Sequence, residues 1–270
     1  MNVRPEGPVA IVVLTCNRKH LLEQCVENVL LKTSPLTTEI VIWDNASTDD
    51  TAAYLSGLED DRIKVVRHDR NIGQNAYARA FRLTTAPYMI EVDDDIIEAP
   101  AAWDATLVDA FRRLPQIGFL AANLVDNPHD TTSTIMYHRD AHLYAYEDVN
   151  GVRLKRGPVG GGCSLTSREL YDRVGGFRES KRHVFWLEDA AYIADIEKLG
   201  YGAAYLDELK VFHAGGPYYA RSSPEKERYW RAFRRRVQRR QAVKRVLMHV
   251  PFVRRLNARF GWFVPPERQR

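Results

Sequence analysis

Apolar residues along this chain fall into short unbroken runs, separated by polar turns and by stretches with helical spacing. The first run, Val9-Ala10-Ile11-Val12-Val13-Leu14, is rich in β-branched residues. A run with no polar alternation predicts a strand covered on both faces, as in a parallel sheet. Thr15-Cys16-Asn17-Arg18 follows as a polar turn, and residues 19–32 then place Leu22, Cys25, Val26, Val29 and Leu30 at helical spacing. Glu39–Trp43 predicts a second buried strand ending at Asp44-Asn45. After it, Ser47, Thr48, Asp49 and Asp50 offer N-caps for a helix reaching Leu55 or Leu58. Ile63–Arg67 predicts a third strand. Asn71-Ile72-Gly73-Gln74-Asn75 turns into a helix over 75–84, and a fourth strand, Tyr88–Val92, runs directly into Asp93-Asp94-Asp95.

Four alternations of strand and helix predict stacked βαβ units: an α/β fold whose mostly parallel sheet is flanked by helices. In such sheets ligands sit beyond the carboxyl ends of the strands. Thr15–Asn17, Asp44–Asn45 and Asp93–Asp95 all fall at such ends, so three polar clusters converge on one rim. Further on, 101–114 predicts a helix and Ile117–Leu124 a strand. Residues 126–158 read as irregular and polar, with a hairpin turn at Asn150-Gly151. Gly160-Gly161-Gly162-Cys163-Ser164 is expected to open a helix over 167–174, ended by Gly175-Gly176-Phe177. Trp186-Leu187-Glu188-Asp189 is expected to open another, stopped at Gly200, and Lys210–His213 reads as a last short strand.

Composition excludes some classes outright. With 270 residues, 45% hydrophobic and 27% charged, the chain is neither disordered nor fibrous. Three cysteines, Cys16, Cys25 and Cys163, with no C-x-x-C pair argue against a disulfide framework and a cysteine zinc site, and suggest a reducing compartment. The apolar run near the N-terminus is too short for a signal peptide or for a span of roughly 20 residues. A cytoplasmic protein is expected, soluble or peripheral on the inner face of a membrane. The net charge of +4 conceals an asymmetry: residues 221–270 hold 16 lysines and arginines against 3 acids, a net +13, while residues 1–220 hold 23 against 32, a net −9.

Candidate chemistry clusters at the strand ends. Three adjacent carboxylates at Asp93, Asp94 and Asp95 repel one another, and a hard divalent cation such as Mg²⁺ or Mn²⁺ relieves this, as does plain solvation of an acidic turn. Asp44 can accept hydrogen bonds from a base or ribose, or close an Asx turn; Thr15 and Asn17 share the ambiguity. Arg79 can face a phosphate or solvent. The Gly160–Gly162 triple implies close backbone approach or a simple turn. Glu188 and Asp189, at a helix start, suit either a general base or the helix dipole. His213 suits a metal or a structural role. G-x-G-x-x-G, G-x-x-x-x-G-K-[ST] and G-x-S-x-G are all absent from the expected places, which disfavours classical dinucleotide dehydrogenases, P-loop NTPases and α/β-hydrolases.

Taken together these segments resemble the family 2 glycosyltransferases, which have the GT-A fold. Val12-Val13-Leu14-Thr15-Cys16-Asn17-Arg18 resembles the family's opening strand, and Asp44-Asn45-Ala46-Ser47-Thr48-Asp49 its D-N-x-S-x-D segment. Asn71-Ile72-Gly73 through Arg79 is similar to the next block, and Asp93-Asp94-Asp95 to the D-x-D motif. Val174–Phe177, Glu188-Asp189 and His213 then follow in the family's order. The resemblance covers roughly residues 9–216. It implies metal-assisted, inverting transfer of a sugar from a UDP-, GDP- or dTDP-linked donor to a hydroxyl of a carbohydrate, lipid-linked or other acceptor. On it, Thr15, Asp44 and Arg79 would line the nucleotide, with Asn17 and Asp94 beside them. Asp93 would meet the ribose, and Asp95 the Mg²⁺ or Mn²⁺ bridging the diphosphate, with His213 near or on that metal. Gly161 and Gly162 would lie in the loop bordering the donor sugar and acceptor, Asp189 would be the catalytic base and Glu188 its neighbour. Residues 1–125 would be the nucleotide-sugar half, 126–220 the acceptor-binding and catalytic half of the same domain, and 221–270 a basic helical extension. Ala191, Asp195 and Ala80 depart from the family's pattern, which leaves donor and acceptor choice open. A sugar-phosphate nucleotidyltransferase or pyrophosphorylase is the first alternative, but Thr15–Arg18 is not the glycine-rich, lysine-bearing loop it would want.

The basic segment carries aromatic and aliphatic residues among its arginines, including Trp230, Phe233, Val237, Val243, Val246, Leu247 and Val250 before Pro251, and Phe252, Phe260, Trp262 and Phe263 after it. Such a pattern suits an anionic membrane surface, packing on the acidic body with snorkelling arginines or, least of the three, nucleic acid.

Overall fold

The computed structural model describes residue 4, residues 6–126, 143–180 and 188–215, and single positions between 228 and 253. The chain divides into two compact units, Met1–Ser223 and Pro224–Arg270.

In the first unit, strands β1 (Val9–Thr15), β2 (Thr37–Asp44), β3 (Ile63–Arg67) and β4 (Tyr88–Asp93) lie in the order β3-β2-β1-β4, all parallel. The chain steps outward from β1 to β3 and then returns to the other side of β1. That reversal opens a crevice beyond the carboxyl ends of β1 and β4. Beyond β4 come β9 (Cys163–Ser167), β6 (Ile117–Asp126), β10 (Gly202–His213), β8 (Val152–Arg156) and β7 (Ala145–Val149), with short β5 (Ile96–Glu98) also paired to β10. β9 is antiparallel to both β4 and β6, and β10 is parallel to β6, so β1, β2, β3, β4, β6 and β10 all run one way. The expected α/β fold, with a mostly parallel central sheet between helices, is the one observed.

Alternation along β1 explains its unbroken apolar run. Val9, Ile11 and Val13 join a core with Leu22, Cys25, Val26 and Val29 of α1 (Lys19–Lys32) and Trp103, Leu107 and Phe111 of α4 (Trp103–Arg113). Val12 faces the other way. It joins Val41, Trp43, Met89 and Phe119 against Tyr77 of α3 (Asn75–Ala80), Tyr171 of α5 (Arg168–Val174) and Tyr192 of α6 (Glu188–Glu197). Each fully buried aliphatic or aromatic side chain contributes about 1.5–3 kcal/mol, so a polar residue inside this run would be costly on either face. Between the second and third strands, α2 (Thr51–Ser56) follows the cap-rich turn as expected.

Three expectations change. Cys163–Ser167 forms strand β9 and not the opening of a helix: Cys163 and Leu165 alternate with Ser164 and Thr166, and the strand seals the gap between β4 and β6. The helix begins at Arg168, with Ser167 Oγ accepting the Leu170 N–H at 3.3 Å as its N-cap. The Asn150-Gly151 turn is present, with positive φ at both residues (52° and 73°) as a two-residue hairpin demands, but its arms are the strands β7 and β8 where irregular chain was expected. Val152 and Leu154 are buried in the sheet's own core, a pattern too short to stand out from the charged residues around it. Finally, the last strand is 12 residues long. Its register shifts between Leu206 and Lys210, and this interruption hides its length from a periodicity reading. Trp186 and Leu187, expected to open α6, lie outside the described residues.

Within Pro224–Arg270, Arg228, Arg231, Ala232, Arg235, Arg239, Ala242 and Val243 are helical and exposed. Val250 and Phe252 are also exposed, at 44% and 67%. Trp230, Phe233, Val237, Val246, Phe260, Trp262 and Phe263 lie outside the described residues.

Candidate active site

The strand-end polar residues come together at the carboxyl rim of β1, β2 and β4. β1 ends in a turn whose Asn17 has φ of 54°, a left-handed conformation that asparagine tolerates better than most residues. The Asn17 side-chain oxygen accepts the Thr48 N–H at 2.6 Å and the Asp49 N–H at 3.3 Å, while its own N–H donates to Ser47 Oγ at 2.9 Å. The turns after β1 and β2 are thereby stitched together. Asp44 is fully buried. Its Oδ1 accepts the Ser47 N–H at 2.8 Å, so the turn-closing role left open by the sequence is realised, and Oδ2 lies 3.4 Å from Arg67 Nε. Arg79 donates to Glu179 at 3.0 Å and lies 3.4 Å from His68, whose ring stacks on Trp43.

The aspartate triplet splits three ways. Asp94 turns toward β1, where it accepts the Thr15 hydroxyl proton at 2.7 Å and pairs with Arg18 at 2.8 Å. Asp95 pairs with Arg18 through one oxygen at 2.7 Å and meets His213 Nε2, at the end of β10, through the other at 3.3 Å. Asp93 accepts the Tyr77 phenol proton at 2.8 Å. Asp93, Asp95 and His213 each offer a donor atom, all within 4.8 Å of one another. Burial works against the charge on Asp95, but Arg18 and His213 outweigh it and hold the carboxyl well below the usual range. Burial pushes Asp94 up to about 6 against the pull of Arg18 and Thr15.

A second acidic group adjoins the triplet through the glycine loop. The Gly161 N–H donates to Asp189 Oδ2 at 2.8 Å, and the Asp93 N–H donates to the Gly162 carbonyl at 2.8 Å. Gly160 is anchored separately, its N–H donating to the Tyr205 hydroxyl at 3.0 Å. Gly162 has φ of 87°, and a Cβ there would stand 3.6 Å from Asp93 Oδ2. Burial pushes Asp189 up, opposed by the amides of Gly161 and Ala190. Glu188, at the first position of α6, is raised well above the ordinary range by burial and then by Asp189 and Glu91. Glu91, on β4, is raised in the same way by burial, Asp93 and Asp189.

Thus the structure brings Asp93, Asp95 and His213 into one cluster and joins it through Gly161 and Gly162 to Asp189, with Glu188 adjacent. Thr15 is committed to Asp94, and Asp94 to Thr15 and Arg18. Asn17, Asp44 and Arg79 lie along the β2 side of the rim, engaged with Thr48, Ser47 and Glu179. Sequence reasoning passed over Arg18, Tyr77, Glu91 and Tyr205. Arg18 and Glu91 had a signal: three carboxylates at one strand end call for a nearby cation, and a glutamate inside an apolar strand calls for a reason. Tyr77 and Tyr205 had none.

The family model described as Glycosyl transferase family 2 matches residues 10–175. Among curated proteins, the uncharacterized protein y4gI of Sinorhizobium fredii (strain NBRC 101917 / NGR234) is 24% identical over 221 residues, covering 76% of this chain and 24% of that protein. The match therefore spans about a quarter of the length of that curated relative. Among solved structures, mannosyltransferase PcManGT from Pyrobaculum calidifontis, in complex with GDP-Man and Mn²⁺, superimposes with a TM-score of 0.57 at 23% identity over 80% of this chain and 60% of that one. Glucosyl-3-phosphoglycerate synthase from Mycobacterium tuberculosis, in complex with Mn²⁺, UDP and glucosyl-3-phosphoglycerate, gives a TM-score of 0.51 at 18% identity over 78% and 73%. At these identities the structural likeness is one of fold.

Proposed function

The chain belongs to glycosyl transferase family 2, and we propose from that premise that it moves a sugar from a nucleotide-diphosphate sugar to an acceptor hydroxyl, with inversion and with the help of a divalent cation. The observation that carries this reading is the joining of two groups by one loop. Asp93, Asp95 and His213 offer donor atoms within 4.8 Å, and the loop that contacts Asp93 also holds Asp189 through the Gly161 amide. Two carboxylates and an imidazole are hard and borderline donors that fit Mg²⁺ or Mn²⁺. The buried Asp95, kept ionised by Arg18, suits a cation better than a protonated acid would. Both solved neighbours carry Mn²⁺ and a nucleotide or nucleotide sugar, which supports the same choice.

A cation held by Asp93, Asp95 and His213 would offset the charge that grows on the departing diphosphate. The chain's own residues account for the rest. Asp189 takes the acceptor's hydroxyl proton as that oxygen attacks the anomeric carbon, and its raised proton affinity suits it to the task. The Gly161 amide fixes the direction in which that carboxylate points. With base and leaving group on opposite faces of the sugar, the configuration inverts. Asp44, Asn17 and Arg79 line the side toward the nucleotide. Calorimetric titration with UDP-, GDP- and dTDP-sugars, with and without Mn²⁺ or Mg²⁺, tests the reading. Cation-dependent binding of at least one donor is expected, and no binding to any under either ion would overturn it.

We further propose that Pro224–Arg270 addresses the enzyme to an anionic membrane surface. No described helix is long and apolar enough to cross a membrane. The exposed residues Arg228, Arg231, Arg235, Arg239, Val243, Val250 and Phe252 combine cationic and apolar side chains, a mixture suited to lying on one. Sedimentation with phosphatidylglycerol vesicles should bring down the full chain and leave residues 1–223 in solution. Equal binding of both would refute the assignment.

A further inference from the structure

Glu91 is a buried acid to which the proposed reaction gives no task. It lies in the middle of β4, is 2% exposed, and pairs across the ladder with Ser164 of β9. Its strand neighbour on the same face is Met89, which packs with Val12, Val41 and Phe119, so the position adjoins apolar surface as well as the acids Asp93, Glu188 and Asp189. Among the described residues, neither Glu91 Oε2 nor Ser164 Oγ, both buried, has a hydrogen-bond partner. A carboxyl kept in such surroundings costs stability, which calls for a contribution elsewhere.

The contact that stands out is with the glycine loop. A Cβ built on Gly161 would lie 2.3 Å from Glu91 Oε1 and 3.1 Å from its carboxyl carbon, so the Gly161 backbone rests directly on this carboxyl. The amide of Gly162 opposes the rise in the proton affinity of this carboxyl. The loop's outward bonds are those to Tyr205, Asp189 and Asp93. Glu91 is therefore the support under a loop whose upper side holds Asp189.

We propose that Glu91 is a positioning residue for Asp189: its carboxyl is the floor on which Gly161 rests, and it sets the place of the amide that aims the Asp189 carboxylate. The inference rests on Asp189 being the base. The requirement for glycine at 161 follows from the same contact, since any side chain would occupy the space of the carboxyl. Misplacing a reacting group by 1 Å can cost about 100-fold in rate.

Three variants test this in the full chain: Glu91→Ala, Glu91→Gln and Gly161→Ala. Turnover is read as nucleoside diphosphate released from the UDP-, GDP- and dTDP-sugar panel with Mn²⁺. Hydrogen exchange is read on the peptide spanning 158–164. Glu91→Ala should lower kcat by about 100-fold with little change in donor KM, and should speed exchange at the loop. Glu91→Gln keeps the volume and should recover the turnover and the slow exchange. Gly161→Ala should be severe in the native background and mild when combined with Glu91→Ala. If Glu91→Gln is as damaging as Glu91→Ala, charge is what matters and the proposal fails. Additive effects of Gly161→Ala and Glu91→Ala, or unchanged exchange in Glu91→Ala, also overturn it. The exchange measurement and thermal melts of the double variant do not depend on turnover. A wild-type protein inactive on every donor would count against the functional reading while leaving the contact between Glu91 and Gly161 under test.

Discussion

Arg18 and Asp189 stand at two flanks of one acidic rim, and the protein handles the carboxyls beside them in opposite ways. On the Arg18 flank, Asp94 and Asp95 are buried but bridged by a guanidinium at 2.8 and 2.7 Å. Asp95 is held ionised there. On the Asp189 flank, Asp189 accepts from the amides of Gly161 and Ala190, the carboxyls of Glu91 and Glu188 lie nearby, and burial raises all three. Asp95 on the first flank keeps its charge, while Asp94 beside it is pushed up to about 6 and the carboxyls of the second flank resist charging. That is the division wanted between a site that holds a cation and a site that accepts a proton.

The comparison can be broken most sharply at Asp189. Asp189→Asn keeps the shape and the Gly161 contact but removes the proton acceptor. Transfer should fall by about 10²–10⁴-fold while Mn²⁺-dependent nucleotide binding stays near normal. Normal turnover in steady-state assays would move the base elsewhere. Next in size is Arg18→Ala, which leaves two buried carboxyls without their bridge. A loss of about 3–5 kcal/mol is expected from urea unfolding, with partial recovery when Asp94→Asn is added. A loss under 1 kcal/mol would mean that Arg18 does not compensate the pair.

The smallest effect concerns pH. Glu188 is raised above its ordinary value of 4.5 in the folded state. Above that pH the unfolded chain has released the proton and the folded chain retains it. The unfolded state then binds fewer protons, and stability falls as pH rises through the interval up to the folded value. Glu188→Gln should flatten this decline in metal-free thermal melts between pH 5 and 8; an unchanged slope would show that Glu188 carries none of it.

Much of this arrangement is legible in the chain. Val9–Leu14, Glu39–Trp43 and Tyr88–Val92 read as strands covered on both faces, and the carboxylates at their ends as meeting on one rim. Residues 163–167 were opaque for a physical reason. Cys163-Ser164-Leu165-Thr166-Ser167 is short, small and follows three glycines, so its strand character comes from the slot between β4 and β6 and not from propensity. The partner of the triplet was hidden too. Arg18 reads as one cation in a polar turn, and only the left-handed turn at Asn17 and the return of β4 beside β1 bring it to Asp94 and Asp95. The tyrosines at 77 and 205 carry no signature, because a phenol's role depends on which acceptor or donor the fold sets beside it.

The length of β10 has a consequence for how the molecule comes into being. The strand starts at Gly202, delivers Tyr205 to the glycine loop, and ends with His213 against Asp95. It enters the sheet between β6 and β8, both earlier in the chain. A ribosome that has released only the first six strands has already exposed the aspartate triplet, but the histidine that completes the cluster sits in the most distant described strand pairing, His213 with Ile96 of β5, and such non-local pairings form slowly. The cation-binding capacity proposed for the cluster would then appear late in synthesis, as the last described strand docks.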